Sequence, residues 1–319
     1  MAVYTQLTKG EIDKLLEGYN LGSLVNFKGI NEGIENTNYR IATNKGKFIL
    51  TIFENRVKNS NLPFFLKLMN HSKKFGVECP EPLKDIKGNF INSIESKKFS
   101  IFTFLDGCSK KRWSSEICFK VGKTLANFHK INKNLKLRIK NDFSVNYWEK
   151  LISNIKNKKY LKENFLNNEF IYIKNNWPKK LPSGIIHADL FPDNVFFKNG
   201  NISGILDFYF SCFDFFIYDL AILINAWCFN NGVFQKKKFL SLVSGYESIR
   251  PLEKNEVKSI NIILRGASLR FLLTRIIDAE KNDNKKIIVK KKDPNEFYKI
   301  LKHHISIEND FNSKYSKEI

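Results

Sequence analysis

Residues 184–209 read Gly184-Ile-Ile-His-Ala-Asp-Leu-Phe-Pro-Asp-Asn-Val-Phe-Phe-Lys-Asn-Gly-Asn-Ile-Ser-Gly-Ile-Leu-Asp-Phe-Tyr209. Two apolar runs, Val195 to Lys198 and Ile202 to Leu206, flank Asn199-Gly200-Asn201, a β-hairpin signal. Antiparallel pairing brings the outer ends of a hairpin side by side. Asn194, before the first strand, and Asp207, after the second, are therefore expected to meet, with Asp189 just upstream on the loop that feeds the hairpin. Two carboxylates and one amide oxygen, with no soft ligand nearby in sequence, are hard donors that suit Mg²⁺ working with substrate phosphates. Such equipment points to phosphoryl transfer, where catalysis is mostly positioning and charge neutralisation.

Outward from this island the chain reads as two halves. From about residue 8 to 105 short strands alternate with turns: Leu24 to Ile30, then Tyr39 to Ala42 paired through Asn44-Lys-Gly46 with Lys47 to Phe53, and later Phe99 to Leu105. A helix is expected from Leu62 to Phe75, with Pro63 in its first turn and Gly76 where it stops. From Ser114 onward the pattern is mostly helical. Ile117, Val121, Leu125, Phe128 and Ile131 form one apolar face, and further helices are expected over Asp219 to Cys228 and Val257 to Ala279. Lys281 to Lys292 reads as an exposed loop or a frayed helix end. The expected domains are 1–105 and 106–319.

The composition limits the alternatives. At 43% hydrophobic and 14% aromatic over 319 residues, disorder is excluded as the main state. No apolar run approaches the roughly 18 residues of a membrane span. A net charge of +21 invites a nucleic-acid reading, yet only eight of the 53 basic residues are Arg, and the 45 Lys are scattered among Asn and Ile. A nucleic-acid face would lean on Arg and gather its charge on one element, so solvated surface is the expectation, with no nucleic-acid or membrane partner. The five Cys (79, 108, 118, 212, 228) show no CxxC spacing and are odd in number, which fits reduced thiols in a cytoplasm.

The pattern His187-x-Asp189-x4-Asn194 followed by Asp207 resembles the catalytic and metal-binding segment of kinases with the protein-kinase-like fold. Asp-Phe-Tyr at 207–209 stands where protein kinases carry Asp-Phe-Gly. Tyr218-Asp219-Leu-Ala221 is similar to an element of the aminoglycoside phosphotransferase and choline kinase superfamily, whose Asp braces the catalytic loop. Longer strings resemble the bacterial homoserine kinases of this fold. They include Phe27 to Tyr39, Phe48 to Glu54, Leu62 to Phe65, His187 to Val195, Asn225 to Phe229, Arg265 to Arg275 and Asp293-Pro294 ahead of His303.

That resemblance implies an α+β, bilobal protein-kinase-like fold: a small antiparallel sheet with one helix as nucleotide-binding lobe, and a larger, mainly helical lobe for catalysis and substrate. It implies ATP-dependent phosphorylation of L-homoserine in threonine biosynthesis. Asp189 becomes the catalytic carboxylate, and Asn194 and Asp207 become ligands of Mg²⁺ and nucleotide. The loop Gly29 to Asn38, with Gly33, Asn36 and Asn38, should cover the phosphates, and Phe104 should lie at the hinge beside adenine. Thr51 occupies the apparent position of the strand Lys that pairs with ATP phosphates in many kinases of this fold; Lys47 and Lys28 are possible substitutes. For the amino-acid ends of the substrate, Asp214 is a candidate for the ammonium. Arg265 and Arg270 are candidates for the carboxylate, because a guanidinium binds it as a fork. Five-residue spacing spreads Arg265, Arg270 and Arg275 around their helix, so one is expected at the cleft and the others in surface pairs. His129, His187 and Trp227 read as structural.

Other readings stay open at this stage: a kinase for choline, methylthioribose or an aminoglycoside, a basic nucleic-acid-binding protein, or a kinase fold without activity.

Overall fold

The computed structural model describes residues 4–30, 36–54, 57–156, 164–282 and 292–308. Gly33 and most of the Lys281 to Lys292 stretch lie outside these described residues. The chain is mixed α+β and divides into two compact units. One consists chiefly of residues 1–108 with 196–209; the other is built from 109–195, 210–286 and 290 onward.

In the first unit, α1 (Lys9–Leu16) precedes a sheet of β1 (Leu24–Ile30), β2 (Thr37–Thr43) and β3 (Gly46–Phe53). Next come α2 (Leu62–Lys74), β4 (Asn92–Ile94) and β5 (Lys97–Thr103). The sheet order is β1-β2-β3-β5-β4, all antiparallel. Alternation along the strands sends Tyr39, Ile41, Leu50, Ile52, Phe99 and Ile101 to one face, where Ile12 and Leu16 of α1 close the core. Asn38, Arg40, Ile49 and Thr51 consequently share the opposite face.

Among the described residues the unit has two α-helices where the sequence suggested one. The signal for α1 was present: Thr8 and Glu11 cap each other reciprocally, a Thr-x-x-Glu capping box. Helix α2 follows its sequence signals, with Pro63 in the first turn and Gly76 beyond the end at φ 94°, a conformation open to glycine without steric cost. The last strand stops at Thr103, leaving Phe104 and Leu105 outside it.

The second unit begins with α3 (Ser115–Asn132), α4 (Val145–Ser153), α5 (Phe165–Asn176) and β6 (Ser183–Ile186). The hairpin β7 (Val195–Lys198) and β8 (Asn201–Ile205) then crosses into the first unit, the division falling between Val195 and Phe196. Its turn is the two residues Asn199 and Gly200, at φ 51° and 77°; Asn201 therefore starts the second strand. After β9 (Cys212–Phe215), which pairs antiparallel with β6, come α6 (Phe216–Trp227), β10 (Phe229–Asn230), β11 (Val233–Phe234), α7 (Lys236–Glu247), α8 (Lys254–Asn282) and α9 (Pro294–Ser306).

Helix α3 buries Ile117, Val121, Leu125 and Phe128 as its periodicity requires. A second stripe of Cys118, Gly122, Ala126 and His129 is buried as well. Here α3 and α7 approach closely: a Cβ on Gly122 would lie 2.1 Å from the Leu242 carbonyl oxygen, and one on Gly245 2.1 Å from that of Phe119. Helix α8 is exposed at its start but buried on every side from Ile263 to Leu273, through Leu264, Ala267, Leu269 and Leu272. Among the described residues, no helix is long and apolar enough to cross a membrane.

Candidate active site

The loop between β6 and β7 carries His187, Asp189 and Asn194. Much of its backbone is hydrogen-bonded, as a buried irregular segment requires. The amides of His187 and Ala188 donate to the two oxygens of Asp219, at 2.7 and 2.9 Å. The Asp189 amide donates to His187 Nδ1 at 3.3 Å. The Asp189 carbonyl accepts from the Phe191 amide and from Asn194 Nδ2, both at 2.8 Å. Trp227 Nε1 donates to the Leu190 carbonyl at 2.9 Å. Ala188 stands at φ 63°, in the left-handed region that an alanine rarely adopts.

Two of the sequence-derived site residues meet directly: Asn194 Nδ2 also donates to Asp189 Oδ2 at 3.0 Å, fixing the carboxylate. Among the described residues, Asn194 Oδ1 accepts no hydrogen bond. Asp207 belongs to the first unit, just after β8, and holds φ 61°. Asn194 and Asp207 thus fall on either side of the unit division.

Asp219 on α6 is fully buried, and its bracing of this loop is what its sequence context implied. Burial works against its charge. The hydrogen bonds from His129 and from the His187 amide nevertheless hold its carboxyl below the usual range. His129 is buried beside it, and burial lowers its pKa despite that carboxylate, so the ring is neutral. Its Nε2 meets Asp219 Oδ2 at 2.9 Å and its Nδ1 meets the Tyr246 hydroxyl at 2.8 Å. A neutral ring between these partners donates to the carboxylate and accepts from the phenol. Arg250 in turn donates from Nη1 to the Tyr246 hydroxyl at 3.2 Å and from Nη2 to both oxygens of Glu256 at 2.9 and 3.0 Å. One chain of hydrogen bonds therefore runs from Glu256 to the amides before Asp189. Tyr246, Arg250 and Glu256 were not among the sequence-derived residues, because nothing local ties them to the loop. His129, His187 and Trp227 are buried and hydrogen-bonded within the protein.

The arginines of α8 depart from the expectation of surface pairs. All three are buried. Arg265 gives its fork to Glu169, at 2.7 Å on both bonds, and its remaining nitrogen to Glu308 at 2.8 Å. That fork is filled internally, which removes Arg265 as an anchor for a substrate carboxylate. Arg275 binds Glu296 at 2.6 Å and the Asp293 carbonyl at 3.1 Å. Arg270 lies against the rings of Phe271 and Phe143 and donates from Nη1 to the Ala188 carbonyl at 2.8 Å. Asp214, on β9, accepts from Asn141 Nδ2 and from the Phe215 amide, both at 2.7 Å. Burial pushes its carboxyl pKa upward in spite of those bonds.

In the first unit, Asn36 is buried and accepts from the Glu54 amide at 3.3 Å. Asn38 lies within β2 rather than in a loop, paired with Ile30. Its Oδ1 accepts from the hydroxyl of Thr51, its cross-strand neighbour, at 2.7 Å. Thr51 at the position of the usual strand Lys is thus satisfied by Asn38. Lys28 and Lys47 are exposed on β1 and β3, and Lys47 sits 5.9 Å from the centre of the half-buried Phe104 ring.

Comparison with known proteins agrees with this arrangement. A family described as "APH: Phosphotransferase enzyme family" matches residues 26–252. A homoserine kinase of Methylobacterium radiotolerans is 41% identical over 95% of this chain and 96% of its own length. One from Rhizobium meliloti is 40% identical over 96% and 95%. Among solved structures, the amicoumacin kinase hAmiN, in complex with AMP-PNP, Ca²⁺ and Ami, superposes with a TM-score of 0.72 at 14% identity, covering 95% of this chain and 94% of that one. A microcompartment-associated aminopropanol kinase gives 0.68 at 13%, covering 95% and 97%. At such identities these two structures speak for the fold alone.

Proposed function

The chain belongs to the phosphotransferase enzyme family and, within it, to the homoserine kinases, and on that premise we propose that it transfers the γ-phosphate of ATP to the side-chain hydroxyl of L-homoserine. The product is O-phospho-L-homoserine, an intermediate of threonine biosynthesis. The observation that carries the mechanism is Asp189, held by Asn194 on a loop in which the amides of His187, Ala188 and Asp189 and the carbonyls of Ala188 and Asp189 are all bonded.

An alcohol is a weak nucleophile, and a positioned carboxylate helps by orienting it and accepting its proton. Asp189 takes that role. The hydroxyl oxygen bonds to the γ-phosphorus, the bond to the β,γ-bridging oxygen breaks, ADP leaves, and the proton passes to Asp189.

Asn194 and Asp207 would hold Mg²⁺: both offer hard oxygen, and Asn194 Oδ1 is not used by another described residue. The bound ion supplies charge neutralisation on the phosphate oxygens. Phe104 and the chain beside it serve the adenine, Asn36, Asn38 and Gly33 the phosphate-covering segment, and Asp214 the substrate ammonium. The five cysteines are free, which suits a reducing cytoplasm.

A coupled ADP assay with homoserine, choline, methylthioribose and kanamycin tests the substrate. We expect turnover that depends on homoserine. Brisk turnover of choline with none of homoserine would contradict the reading.

A further inference from the structure

We propose that Arg270 is a positioning residue, the second arm of a clamp that keeps Ala188 in its left-handed conformation and so aims Asp189. Ala188 is gripped on both sides. Its amide is bound by Asp219 at 2.9 Å from α6, and its carbonyl by Arg270 Nη1 at 2.8 Å from α8. A non-glycine residue at φ 63° persists only where its surroundings over-determine it. Without Arg270 the buried carbonyl loses its charged donor, and the peptide between Ala188 and Asp189 is free to turn toward the ordinary helical or extended regions. Any such turn moves the first atom of the Asp189 side chain.

The guanidinium is placed for this task. Arg270 is 3% exposed and packed on Phe271 at 4.1 Å and Phe143 at 5.1 Å from the ring centres, which fixes its plane. Among the described residues no carboxylate pairs with it, in contrast to Arg265 and Arg275 on the same helix, and its buried Nε has no hydrogen-bond partner. Among the described residues, its one hydrogen bond is to the residue before Asp189.

The inference rests on Asp189 acting on the substrate hydroxyl, so wild-type turnover is measured first. Absence of homoserine turnover in the wild type overturns the activity; the pattern below, failing in an active enzyme, overturns the clamp alone. Arg270→Met is expected to lower kcat about 100-fold, as a small misplacement of a reacting group can, with KM for ATP and homoserine within about twofold. Ala188→Gly removes the steric cost of φ > 0. Added to Arg270→Met, it should restore at least about tenfold of the lost kcat, a rescue that a purely structural role would not give. Arg275→Met, the control from the same helix, should lower the melting temperature while keeping kcat within about twofold.

Hydrogen exchange gives a readout without substrate: the amides of residues 187–190 should open at least about tenfold faster in Arg270→Met and not in Arg275→Met. If Arg270→Met does not accumulate as folded protein, Arg270→Gln carries the same measurements. A KM for homoserine raised more than about tenfold at unchanged kcat would make Arg270 a substrate ligand and overturn the proposal, as would absence of rescue by Ala188→Gly or unchanged exchange.

Discussion

The Asp219 carboxylate accepts the Ala188 amide at 2.9 Å, from 31 residues further along the chain. It also accepts the His187 amide and meets His129 Nε2, so one fully buried anion satisfies three donors. Asp219→Ala leaves all three without their acceptor. We expect a loss of about 3–5 kcal/mol in urea unfolding, the range for removing one partner of a buried charged network. A loss below about 0.5 kcal/mol would mean that the loop is held by other means.

Asp189→Asn keeps the size of the side chain and its contact with Asn194 but cannot accept a proton. Turnover should fall by about 100-fold or more, while ATP affinity by calorimetry stays within about threefold. Activity near wild type in this variant would remove Asp189 as the base.

Two fully buried histidines set an acid limit. Burial lowers the pKa of His129 against the opposing pull of Asp219, and lowers that of His304 further with the help of His303 and Arg265. The unfolded chain therefore takes up protons on these rings at a higher pH than the folded one does. Stability is fully present above the ordinary histidine value of about 6.5 and falls as the pH drops below it, by up to about 1.4 kcal/mol per pH unit for each ring. Depression of the Asp219 pKa adds a further loss nearer the carboxylate range. Melting curves from pH 8 to 5 check the sign, and a melting temperature that rises on acidification would refute it.

Packing between α3 and α7 gives a prediction independent of the chemistry. Gly122→Ala puts a methyl 2.1 Å from a backbone oxygen, so the helices must separate. We expect a cost of about 1–3 kcal/mol. Gly10→Ala on α1, where nothing lies within 4 Å, should instead be neutral or stabilising by up to about 1 kcal/mol. Equal effects of the two substitutions in chemical denaturation would contradict the close approach.

What could be read from the sequence was local. Asn199-Gly200 announced the hairpin through backbone torsions at φ > 0, and the ends of α2 followed from Pro63 and Gly76. The meeting of Asp189 with Asn194 lay within five residues. The fate of the arginines did not follow from spacing, because Glu169 lies 96 positions and Glu308 43 positions from Arg265. Spacing placed the three around the helix but gave no sign that all three are buried. The route from Glu256 through Arg250 and Tyr246 to His129 and Asp219 was hidden because its two decisive steps, Tyr246 to His129 and His129 to Asp219, span 117 and 90 positions. At Thr51 the sequence showed a missing Lys; only the register of β2 with β3 showed Asn38 as its partner.

The most direct test of the central claim follows the oxygen of the acceptor. Homoserine carrying ¹⁸O in its side-chain hydroxyl is incubated with ATP, Mg²⁺ and the enzyme, and the products are read by mass spectrometry and ³¹P NMR. Attack by that hydroxyl predicts O-phosphohomoserine with the label retained in the bridge between carbon and phosphorus, one ADP for each ester formed. ADP accompanied by inorganic phosphate, with no phosphohomoserine, would contradict it.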